Sequence, residues 1–140
     1  MSPWRRACLK VVDTTFLIGL LRNDPGAVEK ARELDEEGGA ATTAINVYEV
    51  AYGVHRAMSD PARRMGAFER LLSNLDVLPL DQRSALRAAE ISGSLDRKGD
   101  SIDPFDSLIA GIALESGADC LVTRNASHFG RIRELKIEGH

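Results

Sequence analysis

Cysteine, aromatic residues and long hydrophobic runs are all scarce in this 140-residue sequence. The two cysteines, Cys8 and Cys120, form neither a CxxC pair nor a Cys/His pair at zinc-ligand spacing, which excludes a disulfide scaffold and a zinc module. No apolar run approaches the roughly 18 residues of a membrane-spanning helix, and Lys10 interrupts the apolar stretch near the N-terminus, which argues against a signal peptide. We therefore expect a soluble cytoplasmic protein with no membrane partner.

A large excess of charge of one sign is also absent. The sequence has 18 basic and 21 acidic residues and a net charge of -3, which excludes a broad basic surface that coats nucleic acid but allows a local basic patch. It contains no GxSxG turn, no Walker A loop, no GxGxxG and no HExxH, so these catalytic routes are excluded. At this length we expect one domain over residues 1–140 with a core of its own.

Short β-rich runs alternate with longer helical patterns, which predicts an α/β fold with a central parallel sheet of about five short strands flanked by helices. We expect the strands at 9–12, 40–43, 77–80, 120–123 and 135–137. Three Asp-Pro pairs, at 24–25, 60–61 and 103–104, predict helix starts. Apolar spacing predicts a helix that buries Val47, Val50 and Met58, and places Phe105 on the apolar face of a later helix.

Two polar residues follow predicted strands. Asp13 comes directly after the first strand, and Asn125 lies just beyond the strand at 120–123. Because the carboxyl ends of parallel strands share one edge of the sheet, we expect both side chains at that edge, where ligands bind. Each has a structural alternative, Asp13 as the N-cap of the next helix and Asn125 as a turn residue.

Three more acidic residues lie on predicted helices. Glu49 projects away from the buried stripe of its helix, where most glutamates are solvated. Asp103 is expected to cap the helix that starts at Pro104, and Asp106 has the position of the acidic residue in a capping box. Asp106 also adjoins the buried face of that helix, so its carboxylate needs a partner, and a metal ion is one such partner.

Carboxylates brought close together repel one another unless a divalent cation compensates their charge. An all-oxygen set suits Mg²⁺ or Mn²⁺ rather than zinc, and these ions commonly bind phosphate oxygens at their open positions. Such a centre indicates phosphodiester hydrolysis.

Four segments, in this order, resemble the PIN-domain ribonucleases, and among them the small VapC-type toxins of toxin–antitoxin pairs. They are VVDTTFLI at 11–18, TAINVYEVAYG at 43–53, DSLIAGIA at 106–113, and LVTRN at 121–125 followed by Phe129. The resemblance spans nearly the whole chain. It implies a single PIN-like domain and a Mg²⁺- or Mn²⁺-dependent endoribonuclease.

The resemblance also implies roles for particular residues. Asp13, Glu49 and Asp106 match the acidic metal ligands and are the expected catalytic residues, and we expect supporting roles for Thr14, Thr15, Thr123 and Asn125. Many family members have a fourth acidic residue where this chain has Asn125. Asn125 is still able to ligate through its oxygen, and Asp103, one helical turn from Asp106, is the other candidate for a fourth ligand.

The implied partners are an RNA substrate, a VapB-like antitoxin and a second copy of the chain in a homodimer. Arginine outnumbers lysine 14 to 4. Arg56, Arg124 and Arg131 lie near or after the candidate site segments and are predicted to contact RNA phosphates, with solvated surface arginines as the alternative. His55 and His128 are expected to be surface residues or residues that support the site.

Two other functions fit part of the pattern. A non-catalytic PIN-like binding module with a degenerate metal site would explain Asn125. A receiver-like phosphoacceptor would also use an acidic cluster to bind Mg²⁺, but no lysine follows a late strand, where Arg124 stands instead.

Overall fold

The computed structural model describes residues 8 to 140 and contains a five-stranded, all-parallel sheet with the strand order β3-β2-β1-β4-β5. The strands are β1 (Lys10–Val12), β2 (Ala41–Thr43), β3 (Asp76–Leu78), β4 (Cys120–Val122) and β5 (Ile137–Glu138). Val11 in the central strand pairs with Ala41 on one side and Leu121 on the other. The predicted α/β fold is confirmed, although each strand is shorter than expected.

Seven helices connect the strands within the described part of the chain. They are α1 (Thr14–Leu21), α2 (Pro25–Glu36), α3 (Ala44–Arg56), α4 (Pro61–Leu72), α5 (Gln82–Lys98), α6 (Pro104–Glu115) and α7 (Ala126–Phe129). The three Asp-Pro pairs begin α2, α4 and α6, because each aspartate accepts a backbone N–H from the first turn and each proline lacks the N–H that a first helical turn leaves unbonded. No helix of residues 8–140 is long and apolar enough to span a membrane.

The sheet has a hydrophobic core on each face, because successive strand residues point to opposite sides. Val11 and Leu121 face α5 and α6, and Val12 and Val122 face the other layer of helices. The first core includes Ile91, Leu95, Ile109, Ala110 and Ala113, and the second includes Phe16, Leu17, Leu34, Val50 and Phe68. Both layers therefore hold the carboxyl ends of β1, β2 and β4 in fixed positions.

Three details of the sequence prediction are wrong. Met58 lies beyond the end of α3 and is fully exposed, so the apolar periodicity does not continue that far. Phe105 is 38% exposed although the next two residues, Asp106 and Ser107, are buried, so the buried face of α6 does not include it. The stretch 124–128, which the polar residues predict to be a turn, runs into the short helix α7 at Ala126–Phe129.

An ion cluster holds β5 at the edge of the sheet. Glu138 accepts hydrogen bonds from Lys10 and Lys30, with closest nitrogen–oxygen distances of 2.9 and 2.6 Å. The hydrogen bonds from Lys30 and Lys10 lower the pKa of Glu138 to about 2. Beside them, burial raises the pKa of Cys120 to about 12, so this thiol stays protonated and unreactive at neutral pH.

Candidate active site

Asp13 stands where β1 ends and is buried, with a relative exposure of 3%. Its Oδ1 accepts the Phe16 N–H at 3.2 Å and the Thr15 hydroxyl at 2.6 Å, and its Oδ2 accepts the hydroxyl of Thr123. Burial raises the pKa of Asp13, and these hydrogen bonds lower it. The predicted cap and the predicted position at the sheet edge are therefore both present, since one carboxylate serves both.

Glu49 reaches the same edge from α3. Its Oε1 accepts the Thr14 hydroxyl at 2.6 Å, and Thr14 in turn accepts an N–H of the Asn46 side chain at 3.0 Å. Asn46 is fully buried and forms a capping box with Thr43 at the start of α3. Glu49 is thus half-buried and held in place, and is not a freely solvated residue.

Asn46 is a site-supporting residue that the sequence analysis missed. The signal was available, because Thr43 and Asn46 have the three-residue spacing of a capping box, although nothing in that spacing reveals the contact with Thr14.

Asp106 lies in the first turn of α6 and has a relative exposure of 9%. The Nδ1 atom of His128 is 3.4 Å from its Oδ2 and 3.1 Å from the side-chain nitrogen of Asn125. Burial and the neighbouring Asp103 raise the pKa of Asp106, whereas His128 lowers it. His128 therefore lies beside both Asp106 and Asn125, which fits the expectation of a histidine that supports the site.

The three carboxylates act on one another electrostatically. The pKa of Glu49 is raised by burial first and then by Asp106, Asp103 and Asp13, and Asp13 also raises the pKa of Asp106. Within residues 8–140 no lysine or arginine forms an ion pair with Asp13, Glu49 or Asp106. The sheet edge thus holds an uncompensated concentration of negative charge.

A sequence model for the PIN domain matches residues 10–135. The chain belongs to the PIN-domain family. It is 30% identical over 128 residues to proteins named tRNA(fMet)-specific endonuclease VapC from Shigella flexneri and Salmonella typhimurium, with 91% of this chain and 95% of each relative covered.

Solved structures show the same similarity. The PIN domain overlays with a TM-score of 0.84 on a chain of VapBC from Salmonella typhimurium bound to DNA, at 30% identity, covering 94% of this chain and 98% of the other. VapBC2 from Rickettsia felis, bound to a promoter DNA fragment, gives a TM-score of 0.84 at 25% identity with the same coverage.

The donor set of this PIN domain fits a hard divalent cation in chemistry, because it consists of carboxylate oxygens with which no lysine or arginine in the described part of the chain pairs. Among the described residues, however, no three acidic, histidine or cysteine side chains converge closely enough to ligate one ion as they stand. Each carboxylate is turned instead to its own hydroxyl or imidazole partner. Loading an ion would therefore require the three carboxylates to move closer together.

The remaining predicted site residues of the PIN domain also have defined positions. Thr123 donates to Asp13 and accepts the Asn125 N–H at 2.8 Å, which links the end of β4 to β1. Asp103 caps α6 through a 2.8 Å bond from the Phe105 N–H, the alternative that the sequence favoured. The charge of Asp103 nevertheless raises the pKa of both Asp106 and Glu49.

The three arginines that were predicted to contact RNA each have a different partner within the protein. The Arg56 guanidinium is 5.7 Å from the centre of the Tyr52 ring, and Arg124 forms an ion pair with Asp24. Arg131 donates to the backbone carbonyls of Asp100 and Ser101 at 3.3 and 2.8 Å. Their contact with RNA stays a prediction, and Arg131 has a structural role in the segment that precedes α6.

A groove of about 550 Å³ opens beside Glu49 between α1, α3 and α4. Its apolar lining comprises Ile18, Leu21, Val50, Val54, Ala57 and Ala67, and its basic lining comprises Arg22, Arg56 and Arg64. A groove lined by both apolar side chains and arginines suits an occupant that is both apolar and anionic.

Proposed function

We propose that this PIN domain is a metal-dependent endoribonuclease and the toxin of a VapBC-type toxin–antitoxin pair. The observation that carries the proposal is the concentration of Asp13, Glu49 and Asp106 at the carboxyl edge of the sheet, buried or half-buried and without a paired lysine or arginine among residues 8–140. This edge is where parallel sheets bind their ligands. The VapC endonucleases at 30% identity over most of the chain support the same activity.

Asp13, Glu49 and Asp106 would hold Mg²⁺ or Mn²⁺, with Asn125 or Asp103 as a further oxygen donor. When bound, such an ion supplies Lewis-acid polarisation of a phosphodiester. The residues of the chain position this centre: Thr15 and Thr123 orient Asp13, Thr14 orients Glu49, and His128 orients Asp106. The surrounding core fixes the strand ends that carry them.

The substrate in this proposal is RNA in the cytoplasm. Arg56 and Arg124 lie near the acidic edge and would neutralise the phosphates that flank the scissile bond, with Arg131 further along the same strand of RNA. The name of the curated relatives makes initiator tRNA the first substrate to test.

The partners in this proposal are a VapB-like antitoxin and a second copy of the chain. The two solved structures described above are VapBC complexes, and the groove beside Glu49 has the apolar and basic lining that an acidic, amphipathic antitoxin segment would fit. For the homodimer, Tyr48 and Tyr52 are 52% and 53% exposed and stack on each other beside the exposed Phe105. A second copy would bury these rings.

The test is cleavage of structured RNAs, including tRNA, with Mg²⁺ or with EDTA, by the wild-type protein and by Asp13→Asn. We expect wild-type cleavage that EDTA abolishes, loss of about a hundredfold or more in Asp13→Asn, and normal activity in the control Asp35→Asn on the exposed face of α2. Identical RNA profiles for the wild type and Asp13→Asn would overturn the proposal. Absence of both cleavage and Mg²⁺-induced stabilisation would favour the non-catalytic module that Asn125 suggested.

A further inference from the structure

His140 lies against the first turn of α1. The chain reaches this point directly from β5, which the Glu138 ion cluster holds in place. The imidazole meets the Phe16 ring edge to face, with 5.2 Å between the ring centres. The His140 backbone packs on Gly26, where a Cβ atom would stand 3.5 Å from the His140 carbonyl carbon. The half-buried side chain is therefore fixed beside the residues that hold Asp13.

The hydroxyl of Thr15 connects His140 to Asp13. Its Oγ1 donates to Asp13 Oδ1 at 2.6 Å, accepts the backbone N–H of Arg124 at 3.0 Å, and lies 3.3 Å from His140 Nε2. A hydroxyl has one proton and two acceptor positions. Because the proton goes to the carboxylate and one acceptor position to Arg124, the contact with His140 requires a proton on Nε2.

We propose that His140 is a positioning residue of the active site, which donates from Nε2 to Thr15 and so fixes the Asp13 carboxylate for divalent-cation binding. The proposal rests on the proposed function. With all three bonds of Thr15 made, its hydroxyl is able to donate only to Asp13 Oδ1, and Thr123 holds the other oxygen of that carboxylate. Without the imidazole donor, the Thr15 hydroxyl keeps only the Arg124 N–H as a donor, and it holds Asp13 Oδ1 less firmly.

The other ring nitrogen argues against a purely packing role. Nδ1 is buried and has no hydrogen-bond partner among the described residues, an arrangement that costs stability. A phenylalanine would fill the same space beside Phe16 without that cost. The Nε2 bond to Thr15, and not the packing of the ring, is therefore the feature that a histidine provides here.

Two substitutions separate these roles. His140→Phe keeps the ring and removes both nitrogens, whereas His140→Gln places an amide N–H close to the position of Nε2. We expect His140→Phe to melt at the same or a higher temperature without metal, and to bind Mn²⁺ about tenfold more weakly by calorimetry. We expect His140→Gln to recover most of that affinity. The control His55→Phe, at an exposed position of α3, should bind Mn²⁺ like the wild type.

The ¹⁵N shifts of the wild-type imidazole give a readout that needs neither metal nor RNA, and we expect the neutral form with its proton on Nε2. An Nε2 without a proton, equal Mn²⁺ affinity in the wild type and His140→Phe, or an equal loss in His140→Gln would each overturn the proposal. A wild-type protein that binds no Mn²⁺ and cleaves no RNA would overturn the proposed function and this inference together. Wild-type cleavage with unchanged Mn²⁺ affinity in His140→Phe would overturn the inference alone.

Discussion

Glu138 is the residue whose replacement tests the energetics of the fold most directly. Its carboxylate binds Lys10 and Lys30, whose side chains are only 11% and 13% exposed, and it also accepts the Cys120 thiol at 3.2 Å. Glu138→Gln keeps the size and shape of the side chain but removes its charge. The two ammonium groups then keep a neutral acceptor in place of a charged one.

The pKa of Glu138 gives the size of the effect. A fall from the ordinary value of 4.5 to about 2 corresponds to about 3 kcal/mol of stability if solvent screened nothing. Since 35% of the side chain is exposed, screening reduces this to about 1.5 kcal/mol. A lowered pKa in the folded state means that this contribution is complete above pH 4.5 and is lost as the pH falls toward 2.

The assay is urea unfolding of the wild type and Glu138→Gln between pH 3 and pH 7. We expect the variant to be about 1.5 kcal/mol less stable at pH 7, about 5 °C in melting temperature, and the difference to fall to less than half at pH 3. Glu36→Gln is the matched control, since Glu36 is exposed at the end of α2 and forms no ion pair within residues 8–140. A difference below about 0.5 kcal/mol at pH 7, or one that does not change with pH, would refute the reasoning.

Three further results are expected. Gly111→Ala should destabilise the protein by about 2 kcal/mol or more in urea unfolding, because the new Cβ would stand 2.6 Å from the Ser84 carbonyl oxygen. The control Gly93→Ala meets only a flexible side chain and should stabilise α5 by about 0.5 kcal/mol. Equal effects of the two substitutions would contradict this packing. Phe68→Ala, which empties a fully buried site, should cost about 3–5 kcal/mol, and a cost below about 1 kcal/mol would show that the core is not closed there. Tyr52→Arg should make a dimeric PIN domain monomeric in light scattering, and an unchanged molar mass would place the interface elsewhere.

Local chemistry explains why much of the fold could be predicted. An aspartate before a proline at Asp24, Asp60 and Asp103 acts within its own helix turn, so each helix start follows from neighbouring residues. The order of β1 between β2 and β4 was not predicted, because local residue patterns do not show which strands pair. The exposure of Met58 and Phe105 was mispredicted because a periodic apolar pattern does not report where the covering element ends.

The site was harder to predict than the fold because its residues are ambiguous one at a time. Asp13 is a helix cap as well as a site residue, and Glu49 looks like a surface glutamate until Thr14 is seen to bind it. The family resemblance named these acidic residues and the threonines beside them, but it did not name Asn46 or His140, whose contacts join segments far apart in the chain. His140 contacts Thr15 across 125 positions of the chain, and no spacing rule connects them.

The central position of β1 also orders events during synthesis. Its first neighbour, β2, leaves the ribosome soon after it, but its second neighbour, β4, begins at Cys120, and the hydroxyl that closes over Asp13 belongs to Thr123. A nascent chain that ends before β4 has one side of β1 unpaired and Asp13 open to water. The surroundings of Asp13 are therefore completed only when the late strand β4 has joined β1, so the acidic edge belongs to the finished domain and not to the growing chain.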